Sequence, residues 1–307
     1  MIGLIDDARM NQHRPFLTTR AARLLVAPAI LAAGVVASPT TSAAHVPVTC
    51  GAVVPSDVRL RADLLDCPGS GLVIGAPDVT IDLAGHVIDG TGSGTGIDNS
   101  AGHDDVRIRR GTVREFLFGL HLFETSGAQI DRVAAHSNTN GVIIERSDAV
   151  VLDGVTATGN VATGIEVTFS DGIAVRRSTA ADNGHSGIVD RASYDTRYQR
   201  NTITGNVAPG LDVWFSDGVV VERNHVAAND SAGVQLIGVE GAVIERNATV
   251  ANAEHGISID RPGSTVTRNH SFDNQGIGIA APDGTIDGGR NHASGNLGGD
   301  CTGVVCT

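Results

Sequence analysis

Charged side chains that could perform acid–base chemistry recur at related places in the sequence. They are Glu145, Glu166, Arg191 and Asp212. A pair of carboxylates can act as general acid and general base on a glycosidic bond. A carboxylate base beside a guanidinium can instead remove the C5 proton of a sugar acid and stabilise the enolate-like intermediate. These four residues are therefore the candidate catalytic residues.

Aromatic side chains lie close to these residues in the chain, and their flat faces are suited to stacking on pyranose rings. We expect sugar contacts from Trp214, Phe215, Tyr194, Tyr198 and His121. The chain has a single tryptophan and two tyrosines, and all three lie within residues 194–214. The competing interpretation is a solvated acidic face without catalysis, because exposed acids are common on protein surfaces.

A strict glycine repeat predicts the elements that position these residues. Glycines recur every 23 residues, at Gly141, Gly164, Gly187, Gly210, Gly233 and Gly256. Each glycine opens a short apolar phrase, such as Gly-Ile-Glu-Val at Gly164. A fixed period of this length is typical of a solenoid, whose coils bury their apolar residues only against one another.

The repeat also predicts which side chains share a surface. Counted from the glycine, apolar residues at positions one, three, nine and eleven indicate strands with that side inward, so positions two and four point outward. With strands about 4.8 Å apart, Glu145 and Glu166 are expected on the order of 8 Å apart, and Glu166 and Asp212 on the order of 9.6 Å. The first separation suits an inverting hydrolase and the second is borderline. Asparagines at two further positions predict ladders of stacked amides.

The coil 187–209 departs from the repeat. Asp190 stands where an inward apolar residue is expected, and Tyr194 and Tyr198 replace the usual turn and second strand. Departures from an otherwise regular pattern often mark functional sites. Two interpretations stay open: the tyrosines line a sugar site, or they fill a bulge in the core.

The repeat Gly-Ile-x-Val-x-x-Ser-x-x-x-Val-x-x-Asn-x-x-x-x-Asn resembles that of the pectin-lyase-like superfamily, and the short cysteine loop at the end resembles secreted actinobacterial members. The resemblance covers roughly residues 71–296. It implies an all-β, single-stranded, right-handed parallel β-helix of about ten coils of about 23 residues, with three short strands per coil. The superfamily includes polysaccharide lyases, glycoside hydrolases, epimerases and proteins without known catalysis, so the fold alone does not select an activity.

Known catalytic motifs of that superfamily are incomplete here. The polygalacturonase-type signature would need an aspartate in Asn138-Thr-Asn140 and a glycine at the end of Gly184-His-Ser186, and the chain contains no lysine. The Asp-Pro-His-Glu motif of alginate epimerases is absent as well. We therefore predict a carbohydrate-active or polysaccharide-binding protein, as a lyase, hydrolase or epimerase. The alternative is a non-catalytic structural or glycan-binding protein of the cell envelope.

The charge of the chain limits its partners. The formal net charge is −12, and it becomes more negative if the first 44 residues are removed. This balance argues against binding nucleic acid or anionic membranes, which require basic patches. A polyanionic substrate would need a bridging divalent cation, so calcium is the one cofactor considered. The histidines are scattered among turns, and no metal cluster is predicted.

The two ends of the chain carry other signals. A basic, apolar and small-residue succession over residues 1–44 predicts a secretory signal peptide cleaved near Ala44, with translation starting at Met1 or Met10. Residues 45–70 are expected to form an N-terminal cap, 71–299 the β-helix and 300–307 a C-terminal tail. An exported chain favours two local disulfides, Cys50–Cys67 and Cys301–Cys306. We expect a secreted or cell-envelope monomer with no membrane span in the mature chain.

Overall fold

The computed structural model describes residues 48–307, which wind as a parallel β-helix. Each coil contributes three short strands to three faces, named A, B and C in chain order, and neighbouring coils pair in parallel. Face A has twelve strands, which correspond to about eleven turns, close to the predicted ten. The described residues contain no helix. The predicted all-β solenoid with a repeat of about 23 residues is confirmed.

The strands of face A carry the candidate site. They span Ala52–Val54, Leu72–Ile74, Thr95–Asn99, Phe118–Phe123, Asn140–Glu145, Ile165–Thr168, Ile188–Arg191, Leu211–Trp214, Val234–Ile237, Ile257–Ile259, Ile279–Ala280 and Cys301–Thr302. Their register is regular through the centre, where equivalent positions of successive coils pair directly. Outward side chains of this face therefore form straight rows along the solenoid axis.

Faces B and C complete each coil. The strands of face B span Val58–Arg59, Thr80–Asp82, Val151–Asp153, Ala174–Arg176, Arg197–Gln199, Val220–Glu222, Val243–Glu245, Thr265–Thr267 and Ile286–Gly289. Those of face C span Leu64–Cys67, Val87–Gly90, Thr156–Thr158, Thr179–Ala181, Thr202–Thr204, His225–Ala227, Ala248–Val250, His270–Phe272 and His292–Ser294. Two longer strands, Arg107–Arg114 and Gln129–His136, run through both faces.

The repeated glycines are required by the close approach of successive coils at the start of face A. A Cβ atom on Gly164 would lie 2.6 Å from the carbonyl oxygen of Gly187, and one on Gly141 would lie 2.4 Å from that of Gly164. Any larger residue would push the coils apart. The apolar residues that follow each glycine at positions one and three are buried, as predicted, and join one continuous core.

Buried asparagines hold the turns of successive coils together. In the row at position nineteen, Nδ2 of Asn183 donates to Oδ1 of Asn206 at 2.9 Å, and Asn206 donates to Asn229 at the same distance. The same Oδ1 atoms accept the backbone N–H of the preceding asparagine. A second row, through Asn201, Asn224 and the coils beyond, makes equivalent bonds. Both ladders predicted from the sequence are present and satisfy polar groups that no water reaches.

The ends of the described chain extend the solenoid. Ala52–Val54 already pairs with Leu72–Ile74, so coil geometry begins within the stretch expected to be a cap. Cys50–Cys67 and Cys301–Cys306 are both disulfide-bonded, as predicted. The signal sequence predicted over residues 1–44 lies outside the described residues. Within residues 48–307 no helix is long and apolar enough to cross a membrane.

Candidate functional site

Two outward rows on face A hold most of the candidate residues. The row at position two contains Glu166 and Asp212, with Val189 between them. The row at position four contains Arg191 and Trp214 as direct neighbours. Glu166 and Asp212 are thus on one wall and two strand spacings apart, about 9.6 Å. The predicted juxtaposition on a common face is present.

Glu166 is held by the guanidinium of Arg191. Nη1 of Arg191 lies 3.0 Å from Oε1 of Glu166, which reaches it from the next coil and the neighbouring row. The glutamate side chain is 21% exposed and the arginine side chain 45%. The pair is therefore accessible from solvent, and its energetic contribution is modest because water screens it. Its consequence is a carboxyl group whose position is fixed by the arginine.

Asp212 occupies a different environment, although it points outward. It is only 4% exposed. Burial raises the pKa of its carboxyl group, while the indole N–H of Trp214 and the positive charges of Arg191 and His185 oppose that rise. Oδ1 of Asp212 and Nε1 of Trp214 are nevertheless both buried without a hydrogen bond of good geometry. Two polar atoms that lack partners in the folded protein lie beside each other at the centre of the face.

Val189 shows that this part of face A is covered. It stands between the two acids in an outward position, yet it is 0% exposed. The surrounding side chains therefore close over the strand here, whereas Glu166 in the preceding coil stays accessible. An outward position in the strand therefore does not ensure exposure in this coil.

Aromatic rings flank the buried acid. The rings of Trp214 and Phe215 have centroids 6.3 Å apart and are tilted by 57°. Phe215 has a positive φ of 52° at the corner after face A and is 62% exposed. Its ring lies over Gly238 of the next coil, where a Cβ atom would come within 2.4 Å of it. Trp214 and Phe215 therefore form an aromatic surface next to Asp212.

Two other candidates, His121 and Glu145, lie in the coils that precede Glu166. His121 shares the row of Asp212 but is four coils away, about 19 Å. It belongs to a separate cluster with Phe118 and Phe123, at centroid distances of 5.6 and 6.2 Å. Glu145 pairs directly with Phe123 in that same region. The structure therefore places His121 away from Asp212, whereas Glu145 lies in the coil next to that of Glu166, near the middle of face A.

The two tyrosines differ in their exposure to solvent. Tyr194 is 57% exposed in the turn that follows face A. Tyr198 is fully buried, and the expectation that it contacts substrate is wrong. The sequence pattern explains the error, because position eleven points inward and a large side chain there fills the core. The bulge-filling interpretation applies to Tyr198.

Asp190 precedes Arg191 in the same strand, and its buried side chain anchors that strand from the core side. Its Oδ2 atom accepts hydrogen bonds from Oγ1 of Thr196 at 2.7 Å and from the hydroxyl of Tyr198 at 2.8 Å. Its Oδ1 atom accepts from Oγ of Ser216 at 3.0 Å, two residues beyond Trp214. Burial raises the pKa of Asp190 despite these bonds. The network ties the coil of Arg191 to the coil of Trp214 and so fixes their relative positions.

Sequence reasoning missed residues that the structure brings to this centre. His185 precedes the strand of Arg191 and acts electrostatically on Asp212. Its only sequence signal was its place two residues before a repeat glycine. Within residues 48–307 no three His, Cys, Asp or Glu side chains are grouped to hold a metal ion, so the calcium prediction gains no ligand set there.

Comparison with known proteins identifies the fold family. The family model described as "right handed beta helix region" matches residues 73–226, 118–259 and 193–303. No curated protein sequence is significantly similar. The Dettilon tailspike protein superposes with a TM-score of 0.57 at 16% identity, covering 80% of this chain, which spans 58% of the tailspike.

Two epimerases have similar folds. The A-module of mannuronan C-5 epimerase AlgE4 from Azotobacter vinelandii gives a TM-score of 0.51 at 16% identity, with 78% of this chain and 90% of that one covered. The periplasmic alginate epimerase AlgG gives 0.50 at 14% identity, with coverages of 76% and 66%. At such identities the likeness concerns the fold alone. The family-model matches extend over most of the chain, and this protein belongs to the right-handed β-helix family.

Proposed function

We propose that this protein acts on a polysaccharide bound along face A, with Asp212 and Trp214 at the centre of the site. The observation that carries the proposal is the pair of buried, unpartnered polar atoms, Asp212 Oδ1 and Trp214 Nε1. An unmet buried polar atom costs about 1–3 kcal/mol, so a ligand hydroxyl that displaces the covering side chains and bonds to both atoms would recover that energy. Trp214 and Phe215 offer rings on which a pyranose can stack.

Glycoside hydrolysis is the reaction that this arrangement supports best. The raised pKa of Asp212 keeps its proton available for donation to a glycosidic oxygen. Glu166, held in place by Arg191, is the carboxylate that would take a proton from the attacking water. The separation of about 9.6 Å between the two strand positions is borderline for inverting enzymes, whose carboxyl groups are roughly 6.5–9.5 Å apart to leave space for that water.

We further propose that the protein is exported from the cytoplasm. Two disulfides persist in oxidising compartments, and the basic and apolar residues before position 44 have the pattern of a secretory signal. The similar folds include enzymes named as epimerases of mannuronan or alginate, which act outside the cytoplasm in the case of the periplasmic enzyme. We therefore assign the protein to the cell exterior or envelope, working as a monomer.

The second candidate function is glycan binding without turnover. It is favoured by one observation: the carboxylate of Glu166 is already occupied by an ion pair with Arg191 at 3.0 Å. In that case the same aromatic and polar groups hold a sugar chain but no bond is cleaved.

A polysaccharide panel distinguishes the two candidates. Reducing ends and unsaturated-product absorbance are measured with and without calcium, for the wild type and for Glu166→Gln and Asp212→Asn. The exposed turn acid Asp217 provides a matched control, as Asp217→Asn. Hydrolysis predicts new reducing ends with inverted anomeric configuration, a loss of about 100-fold or more in both site variants and full activity in the control. Binding without product in every case supports the second candidate, and full activity in both site variants contradicts the proposed site.

A further inference from the structure

A row of arginines follows the corner between faces B and C, on a surface that the proposed function does not use. Eight of nine successive coils carry arginine there, and the ninth carries Gly154. The arginines are Arg110, Arg132, Arg177, Arg200, Arg223, Arg246, Arg268 and Arg290. From Gly154 to Arg268 the corner residues bond through their backbone N–H groups to the next coil, as in Arg200 to Glu222 and Arg223 to Glu245. The row is therefore continuous along the axis.

The backbone at this corner does not call for arginine. Every arginine of the row has a positive φ, between 50° and 60°. That conformation costs an L-residue roughly 1–2 kcal/mol, and glycine adopts it freely, as Gly154 does with a φ of 64°. The repetition of arginine at a place that disfavours any side chain indicates a role for the guanidinium groups themselves.

Acidic neighbours pair with most of the row, including Arg223 with Glu222, but they become fewer toward its C-terminal end. Arg110 is bound by Asp82, Arg132 by Asp131 and Arg177 by Asp153. Further along, one carboxylate, Glu245, serves both Arg246 at 2.7 Å and Arg268 at 2.9 Å. Arg290 has no acidic partner within 4 Å among residues 48–307. Positive charge therefore accumulates toward the C-terminal coils of a strongly acidic protein.

These last arginines line a basic depression. It has a volume of about 530 Å³ and is lined by Arg246, Arg268, His270, Arg290 and His292 alone. The two imidazole rings are exposed and stacked, with centroids 5.5 Å apart and planes inclined by 18°. The depression combines guanidinium groups, which bind carboxylates and sulfates in a bidentate manner, with flat rings that suit a sugar.

We propose that this C-terminal depression and the adjoining arginine row bind a linear polysaccharide that carries an anionic group on its sugar residues. One guanidinium is presented every 4.8 Å or so along the axis, which is close to the length of one sugar residue in an extended chain. Duplex DNA carries one charge per roughly 1.7 Å, a density that the overall charge of −12 would repel. A sparsely charged glycan is therefore the matching polyanion.

This site is separate from the one on face A and does not depend on its activity. A chain bound at the corner between faces B and C would keep the protein on an anionic glycan while face A remains free. The net charge of −12 describes the whole surface and implies a bridging cation for any polyanion, whereas the positive charges here are concentrated along one edge.

The test is a binding titration on the full protein. Fluorescently labelled oligogalacturonate and a sulfated oligosaccharide without carboxylates are compared with inorganic sulfate and with duplex DNA. The proposal predicts saturable binding of at least one oligosaccharide, with an affinity that falls as salt rises, and weak or no binding of DNA. The two oligosaccharides distinguish carboxylate from sulfate recognition, and binding of inorganic sulfate as tight as that of either glycan contradicts a polysaccharide site.

Variants locate the binding. The double variant Arg268→Gln and Arg290→Gln should weaken oligosaccharide binding about tenfold or more. Arg132→Gln is the matched control, at the same corner position about 29 Å away and already paired with Asp131, and it should leave affinity within about twofold. Unchanged far-ultraviolet circular dichroism confirms that the variants fold. Full affinity in the double variant overturns the inference, and loss only in Trp214→Ala assigns the glycan to face A instead.

Discussion

The hydroxyl group of Tyr198 donates a 2.8 Å hydrogen bond to Oδ2 of Asp190 in the apolar core of the solenoid. Both residues are completely buried. Burial raises the pKa of the carboxyl group, and the bonds from Thr196 and Tyr198 offset part of that rise. The same burial, together with the charge of Asp190, raises the pKa of Tyr198 well above its usual value. The carboxyl group of Asp190 is thus a buried titrating group on the inner side of the strand that carries Arg191.

This relationship predicts an unusual pH dependence of stability. Between the ordinary pKa of 3.8 and the raised folded value, the native state holds a proton on Asp190 that the unfolded chain has lost. The free energy of unfolding contributed by Asp190 therefore falls as pH rises through that window. Asp190→Asn removes the titration while keeping the shape.

Urea unfolding at a series of pH values measures the effect. The difference in unfolding free energy between wild type and Asp190→Asn should favour the wild type more at pH 4 than at pH 7. Other carboxyl groups contribute equally to both proteins and cancel in the comparison. Parallel curves over the whole range would show that Asp190 does not titrate in this window.

The asparagine ladder should contribute strongly to stability at its centre. Asn206→Ala removes the acceptor of the Asn183 amide and the donor to Asn229, and it leaves buried polar groups unpaired in both neighbouring coils. We expect a loss of roughly 3 kcal/mol in the free energy of unfolding. Gln275→Ala, which truncates an exposed amide, is the control and should change stability by less than about 0.5 kcal/mol. Equal effects of the two substitutions would contradict the structural role of the ladder.

The glycine row should resist even one added methyl group. In Gly164→Ala the new Cβ atom would lie 2.6 Å from the carbonyl oxygen of Gly187 and 2.7 Å from Nδ2 of Asn183. Overpacking of this kind costs about 1–3 kcal/mol. Gly69→Ala is the control, because no atom lies within 4 Å of a Cβ atom there. Thermal unfolding of both variants checks the prediction, and a Gly164→Ala protein as stable as the control would refute the close approach.

If Asp212 donates a proton in catalysis, activity must fall as pH rises through its raised folded pKa. Arg191 lowers that pKa by its positive charge. In Arg191→Gln the alkaline limb of the kcat/KM profile should therefore move to higher pH, whatever the variant does to the absolute rate. The measurement is a pH–rate profile for both proteins on the same substrate. A limb that stays in place or moves to lower pH would exclude Asp212 as the acid.

The architecture could be predicted from sequence because it repeats. Gly164 and Asn206 each recur in equivalent places of successive coils, and a residue that must fit the same backbone site many times leaves a periodic signal. The disulfides Cys50–Cys67 and Cys301–Cys306 followed from their positions at the ends of the chain. Counting from the repeat glycine also sufficed to place Glu166 and Asp212, both at position two, on the same face.

The burial of each side chain could not be predicted from the 23-residue repeat. Val189 and Glu166 share a row, yet Val189 is fully buried and Glu166 is accessible to solvent. The exposure of a side chain depends on its neighbours in adjacent rows, which the repeat does not specify. Tyr198 was expected near substrate although its position in the coil points inward. The arginine row had a visible period, but net charge gave no indication that its members gather on one edge.

The single tryptophan provides the most direct test of the site on face A. The indole N–H signal of Trp214 is followed by nuclear magnetic resonance while oligosaccharides from the polysaccharide panel are added to the wild type and to Asp212→Asn. The proposed site predicts that an active or bound oligosaccharide shifts this one signal saturably, and that Asp212→Asn weakens the binding. An oligosaccharide that binds or is cleaved without moving the Trp214 signal would contradict the account.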